Sequence, residues 1–161
     1  MADIYDIPVQ RITGEPTSLG EYRGKVLLAV NVASKCGLTP QYEGLEALFR
    51  AKAPAGLEVL GFPANNFLGQ EPGNEAEIAD FCTTTFDVTF PMFGKIDVNG
   101  PNRHPLYAFL TGEPTTPDGP GDIRWNFAKF LVDRDGKVVA RWAPTTAPAS
   151  EDVVGALEKA L

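Results

Sequence analysis

Cys36, one of two cysteines in the 161-residue chain, is the side chain best placed to act as a nucleophile. It follows the apolar stretch 26–30, which predicts a buried strand, and precedes Thr39-Pro40, which predicts a helix start. Open α/β sheets place their sites beyond the carboxyl ends of strands, and a helix N-terminus favours a thiolate. Lys35 adds a neighbouring cation. The same position also suits a small buried apolar residue, so position alone leaves both interpretations open.

Several amide and indole side chains could donate hydrogen bonds to such a sulfur. Asn65, Asn66 and Gln70 share one loop, and Trp125-Asn126 opens a predicted strand. An indole N–H can only donate, and amides also carry donors, so together they would stabilise a thiolate without neutralising it. Amides in turns commonly cap local backbone, and tryptophans commonly pack in cores. Each of these residues taken singly therefore favours a structural role.

A strand–helix–strand unit is expected to position Cys36. Thr39 and Pro40 begin a predicted helix with an apolar stripe, Gly56 suits its end, and 57–62 predicts a second strand. Because the crossover joins two neighbouring strands, Cys36 falls at the strand-to-helix turn at one end of the sheet.

A second helix carries the other cysteine. Asn74 and Glu77 have the spacing of a capping box, which predicts a helix start. Cys82 then shares one apolar face with Ile78, Phe81 and Phe86.

The remaining elements complete an α/β architecture. They are a hairpin-like start, an extended segment at 90–98, a short helix at 104–110, strands at 125–132 and 138–142 around the turn 133–136, and a closing helix capped by Ser150. Crossover helices followed by an antiparallel hairpin imply a three-layer α/β sandwich with a central mixed sheet. Since no linker interrupts the pattern, we expect one domain, 1–161.

Composition excludes several classes of protein. The net charge of −7 lacks the basic footprint of a nucleic-acid binder and disfavours anionic membranes. The first eight residues lack the basic and apolar regions of a signal peptide. One histidine and two distant cysteines do not make a metal-ligand set, so we expect no metal or other cofactor. These features predict a cytoplasmic protein whose function lies in a small site.

Three ordered segments resemble the signatures of the glutathione peroxidase family. The first surrounds Cys36, the second begins at the end of the predicted second strand, and the third opens the strand at 125. They read Asn31-Val-Ala-Ser-Lys-Cys-Gly-Leu-Thr39, Gly61-Phe-Pro-Ala-Asn-Asn-Phe67 with Gln70-Glu-Pro-Gly73, and Trp125-Asn-Phe127 with Lys129-Phe130. This chain is similar to the cysteine-containing members, since Cys36 stands where many relatives carry selenocysteine.

The resemblance implies a thioredoxin-like fold and a catalytic tetrad of Cys36, Gln70, Trp125 and Asn126. In such an enzyme the Cys36 thiolate attacks a hydroperoxide and becomes a sulfenic acid, while the other three residues hold the sulfur and orient the peroxide. The sulfenic acid must meet a thiol before further peroxide oxidises it to sulfinic acid. Family resemblance thus predicts a peroxidase that acts on hydrogen peroxide and organic hydroperoxides.

Cys82 is the candidate resolving cysteine. Relatives that recycle through thioredoxin form a disulfide between the peroxidatic cysteine and a cysteine of this helix. The apolar face around Cys82 instead favours core packing, so both roles stay open. Where many relatives carry a cysteine and a glutamine in the second signature, this chain has Ala64 and Asn66.

Partners are predicted from the same comparison. The segment 110–124 lacks the insertion that builds tetrameric relatives, which predicts a monomer. Lys35 and Arg124 are the only cations next to the signatures, which favours thioredoxin over anionic glutathione as the reductant. The alternative from another class is a non-enzymatic peroxide sensor or redox relay, in which a partner reads the oxidation of Cys36.

Overall fold

The computed structural model describes residues 3–161. Residues 1 and 2 of the predicted domain lie outside this range, and within it no helix is long and apolar enough to cross a membrane. The elements are β1 (Pro8–Gln10), β2 (Pro16–Ser18), β3 (Val26–Val32), α1 (Gln41–Lys52), β4 (Leu57–Pro63), α2 (Glu75–Phe86), α3 (Pro105–Gly112), β5 (Lys129–Val132), β6 (Val138–Trp142) and α4 (Glu151–Ala160).

A four-stranded mixed sheet in the order β4-β3-β5-β6 forms the centre of the fold. Strand β3 runs parallel to β4, with Val26 opposite Leu57, and antiparallel to β5, with Leu28 opposite Leu131. All residues of β3 are buried, as its continuous apolar sequence predicts. Strands β1 and β2 form the expected antiparallel start. The predicted central mixed sheet is confirmed.

Helices cover both faces of this sheet. Alternate residues of β3 enter two separate apolar clusters, because successive side chains of a strand point to opposite faces. Leu27 and Ala29 pack in one cluster with residues of α3 and the N-terminal segment. Leu28 and Val30 pack in the other with residues of α1, α2 and α4. The arrangement confirms the three-layer α/β sandwich.

Helix α1 begins later than the sequence pattern predicts. Its first residue is Gln41, and Pro40 precedes it without a capping side chain. The Thr39 hydroxyl accepts a hydrogen bond from the backbone N–H of Cys36 at 2.9 Å and donates to the carbonyl of Ala33 at 2.8 Å. Thr39 therefore orders the cysteine loop instead of capping the helix.

Two predicted extended segments are shorter than expected. Strand β5 begins at Lys129 and not at Trp125, because Phe127 has a left-handed φ of 73° that breaks the extended backbone. The segment 90–98 contributes only isolated bridges, one of them between Met92 and Gly61 of β4.

The capping box of Asn74 with Glu77 and the Ser150 cap of α4 are both present as predicted.

Candidate active site

Cys36 lies in the loop between β3 and α1, where its sulfur receives two hydrogen bonds. The side chain is buried, with 7% exposed. Its Sγ accepts from the backbone N–H of Leu38 at 3.3 Å and from the indole Nε1–H of Trp125 at 3.2 Å. Both groups are donors aimed at the atom that would carry negative charge as a thiolate. The site therefore holds the sulfur with two hydrogen-bond donors.

Trp125 is held by the same strand that leads to Cys36. The Asn31 side-chain amide donates to the Trp125 carbonyl at 3.1 Å, and the Asn31 carbonyl accepts from the Phe127 N–H at 2.6 Å. Asn31 is fully buried in β3. Sequence reasoning missed this role, although a polar residue inside an otherwise apolar strand was the available signal.

Lys129 also holds the turn that carries Trp125 and Phe127. Its buried ammonium group donates to the carbonyl of Phe127 at 2.7 Å and to that of Pro144 at 3.2 Å. Burial lowers the pKa of Lys129 to about 7, because desolvation disfavours the charged form. The sequence analysis did not predict this role, although a lysine in a predicted buried strand was a signal for it.

Gln70 and Asn126 form a second pair. The Asn126 amide Nδ2 donates to Oε1 of Gln70 at 3.1 Å, and Asn126 is fully buried. The Gln70 carbonyl accepts from the backbone N–H of Lys35 at 3.0 Å, which ties its loop to the cysteine loop. The structure thus brings the four predicted residues together as two bonded pairs, Cys36 with Trp125 and Gln70 with Asn126.

The other two amides of the loop have structural roles. Oδ1 of Asn65 accepts from the Glu71 N–H at 2.8 Å, and Oδ1 of Asn66 accepts from the Val98 N–H at 2.9 Å. These bonds fix the loop that carries Gln70.

Glu71 is a buried carboxyl next to the cysteine loop. Only 1% of it is exposed, and its Oε1 accepts from the Ser34 N–H at 3.1 Å. Burial raises the pKa of Glu71. A cavity of about 290 Å³ lies beside it, between the cysteine loop and α2.

Cys82 lies on the buried face of α2. It belongs to the same apolar cluster as Cys36, and both thiols are free. Burial raises the pKa of the Cys82 thiol to about 11, although the neighbouring Tyr42 hydroxyl opposes this effect. In the folded helix Cys82 is therefore a protonated, unreactive thiol.

Few free cations surround the site. Lys35 is exposed beside Cys36, whereas Arg124 forms an ion pair with Asp118.

Among residues 3–161, no three His, Cys, Asp or Glu side chains cluster as metal ligands would. A buried sulfur with two donors and a nearby amide pair can carry out nucleophilic thiol chemistry.

Comparison with known proteins agrees with this geometry. Residues 4–111 match the family model described as glutathione peroxidase. The chain belongs to the glutathione peroxidase family. It is 49% identical to the glutathione peroxidase homolog BsaA of Bacillus subtilis over 97% of this chain and 99% of that protein. It is 50% identical to the thioredoxin/glutathione peroxidase BtuE of Escherichia coli, covering 95% of this chain and 94% of that protein.

Solved structures place this family member in the thioredoxin-like fold. The crystal structure of Trgpx in its apo form superposes with a TM-score of 0.79 at 40% identity, covering 99% of this chain and 96% of that one. A thioredoxin family protein from Chlorobium tepidum shares the fold alone, with a TM-score of 0.70 at 16% identity over 99% of this chain and 95% of that one. The protein is accordingly a peroxidase that reduces peroxides with electrons from a thiol reductant.

Proposed function

We propose that Cys36 is the peroxidatic residue and forms a sulfenic acid. The observation that carries this proposal is the pair of donors, Trp125 Nε1–H and Leu38 N–H, on the Cys36 sulfur. The thiolate attacks the distal oxygen of ROOH, an S–O bond forms, and the O–O bond breaks. Its electron pair leaves on the RO group, which takes up a proton and departs as an alcohol, or as water from hydrogen peroxide.

Gln70 and Asn126 would orient the peroxide. Since Oε1 of Gln70 accepts from Asn126, the Gln70 amide group keeps its own N–H donors for a peroxide oxygen. Burial of Asn126 fixes this orientation of the glutamine. A preorganised donor of this kind stabilises the negative charge that develops on the leaving oxygen.

We propose that Cys82 resolves the sulfenic acid. Both sulfurs belong to one apolar cluster, and α2 has only two buried residues, Ile78 and Cys82. Phe81 and Phe86 of α2 are only partly buried against that cluster, which keeps the cost of local unwinding low. Unwinding would hydrate Cys82 and remove the cause of its raised pKa, so its thiolate could attack Sγ of Cys36 and displace hydroxide. The products are a Cys36–Cys82 disulfide and water.

A dithiol protein such as thioredoxin is the reductant we favour. Arg124 is ion-paired with Asp118, which leaves Lys35 as the exposed cation next to Cys36 in the chain. One exposed cation is a weak binding site for anionic glutathione. A relative is named a thioredoxin/glutathione peroxidase, which is compatible with either donor. A monomer acting in the reducing cytoplasm stays our prediction from the sequence.

Steady-state turnover with thioredoxin and its reductase, compared with glutathione and its reductase, tests the reductant. We expect faster peroxide consumption with thioredoxin. Mass spectrometry after one equivalent of peroxide, with digestion in the absence of reductant, tests the intermediate and should yield a Cys36–Cys82 linked peptide. Faster turnover with glutathione, together with Cys36 bound to glutathione and no such peptide, would contradict the proposals that Cys82 resolves the sulfenic acid and that thioredoxin is the reductant.

A further inference from the structure

Leu68 combines an exposed apolar side chain with a left-handed backbone. It is 84% exposed and has a φ of 54°. The next residue, Gly69, has a φ of 62°, and the Gln70 N–H donates to the Phe67 carbonyl at 3.2 Å. Two positive φ values inside such a bond are typical of a type I′ turn, whose first central position favours Asn or Gly. Leucine disfavours this left-handed backbone, and the exposed Leu68 side chain gains no burial that would compensate for the strain.

The turn presents Leu68 at the edge of the active site. The adjacent ring of Phe67 packs against the Trp125 indole, with ring centroids 5.6 Å apart, and that indole donates to Sγ of Cys36. On the other side of the turn lies Gln70, the partner of Asn126. Phe67 and Trp125 are half-buried, and Leu68 follows Phe67 directly in the chain. We call these three apolar side chains the rim.

We propose that Leu68 is a specificity-determining residue that contacts the carbon group of an organic hydroperoxide as its peroxide oxygen reaches Cys36. This inference rests on the proposed peroxidatic role of Cys36. Hydrogen peroxide has no carbon group and gains nothing from the contact, so Leu68 raises selectivity for organic hydroperoxides.

The size of the rim favours a small substrate over a protein partner. Three side chains match an alkyl or aryl group, whereas a specific protein interface buries about 800 Å² on each partner. Among residues 3–161, the other large apolar side chain with marked exposure is Val139, on β6. Val139 lies on a different element from the rim and does not extend it.

The test compares single-turnover rate constants for Cys36 oxidation by cumene hydroperoxide and by hydrogen peroxide. We expect Leu68→Asn to lower the cumene hydroperoxide constant by about fourfold or more, since one methylene removed from water contributes about that factor. The hydrogen peroxide constant should not change. Leu68→Met, which stays apolar, should retain the wild-type ratio, and so should the control Val139→Thr.

Four results would overturn the inference. An unchanged ratio in Leu68→Asn alongside normal Cys36 oxidation would remove Leu68 from substrate selection and leave the proposed function standing. If the ratio of the two rate constants is unchanged but turnover with thioredoxin is slower, the rim contacts the reductant and not the peroxide. A lower thermal midpoint in Leu68→Asn would show that Leu68 serves packing, because asparagine tolerates this backbone better than leucine. If wild-type Cys36 reacts with neither peroxide, the proposed function fails together with the inference.

Discussion

The indole Nε1 of Trp125 lies 3.2 Å from Sγ of Cys36 and donates its hydrogen to the sulfur across 89 positions of sequence. The bond joins the loop after β3 to the turn before β5, and Asn31 of β3 holds that turn in place. Only the folded sheet creates this contact. The hydrogen bond from the Trp125 indole to the Cys36 sulfur is therefore a property of the tertiary structure.

Removing the indole donor should slow the attack on peroxide. Trp125→Phe keeps an aromatic ring against Phe67 but removes the hydrogen bond to Cys36. A hydrogen bond to a charged group contributes about 1.5–3 kcal/mol, which corresponds to a rate about 10- to 150-fold lower. Stopped-flow oxidation of Cys36 at fixed pH measures this rate.

Trp142 provides the matched control for that experiment. It is buried, and its Nε1 has no hydrogen-bond partner among residues 3–161. Trp142→Phe therefore removes an indole without removing a bond to the sulfur, and its oxidation rate should match that of the wild type. Equal rates in Trp125→Phe and the wild type would show that the indole contact has no catalytic role.

The amide pair should affect both stability and rate. Gln70→Ala leaves the buried Asn126 donor without its partner, which costs about 1–3 kcal/mol of unfolding free energy. Peroxide attack should also slow, because the donor that orients the peroxide is lost. Denaturant unfolding and single-turnover oxidation check the two effects, with the exposed Gln10→Ala as a control. Loss of stability without loss of rate would reduce Gln70 to a structural residue.

Loss of Cys82 should trap the oxidised Cys36. Cys82→Ala keeps the site apolar and removes the resolving thiol, so peroxide attack should proceed at the wild-type rate while turnover with thioredoxin falls steeply. Excess peroxide should then carry Cys36 to sulfinic acid, which intact-protein mass spectrometry detects. Normal turnover in the variant would assign Cys82 to packing alone.

Lys129 should make stability depend on pH. Its pKa falls from 10.5 to about 7 on folding, so between these values the unfolded chain binds one more proton than the native protein. The free energy of unfolding therefore rises with pH across this interval, by up to about 1.4 kcal/mol per pH unit. Lys129→Met should remove this slope. Denaturant unfolding from pH 7 to 10 measures it, and parallel curves for the two proteins would contradict the prediction.

Local sequence patterns predicted the strand–turn–helix unit around Cys36 because its signals lie next to one another in the chain. The roles of Asn31 and Lys129 were not predicted, since Asn31 donates to the carbonyl of Trp125 and Lys129 to that of Pro144, and folding brings both carbonyls near. The left-handed φ of Phe127 could not be foreseen, because aromatic residues disfavour that backbone and a long-range bond from the Phe127 N–H to the Asn31 carbonyl holds it here. Family resemblance supplied Gln70, Trp125 and Asn126 as a set, which composition and periodicity could not have grouped.

The central claim, that Cys36 is the nucleophile, is tested most directly by steady-state peroxide consumption in Cys36→Ser. A serine hydroxyl is close in size to the thiol but does not ionise near neutral pH, so packing is kept and the nucleophile is lost. With thioredoxin and its reductase, wild-type protein should consume many equivalents of peroxide. The variant should consume none and keep the wild-type circular dichroism spectrum and thermal midpoint. Sustained consumption by folded Cys36→Ser, after chelation of trace metals, would contradict the account.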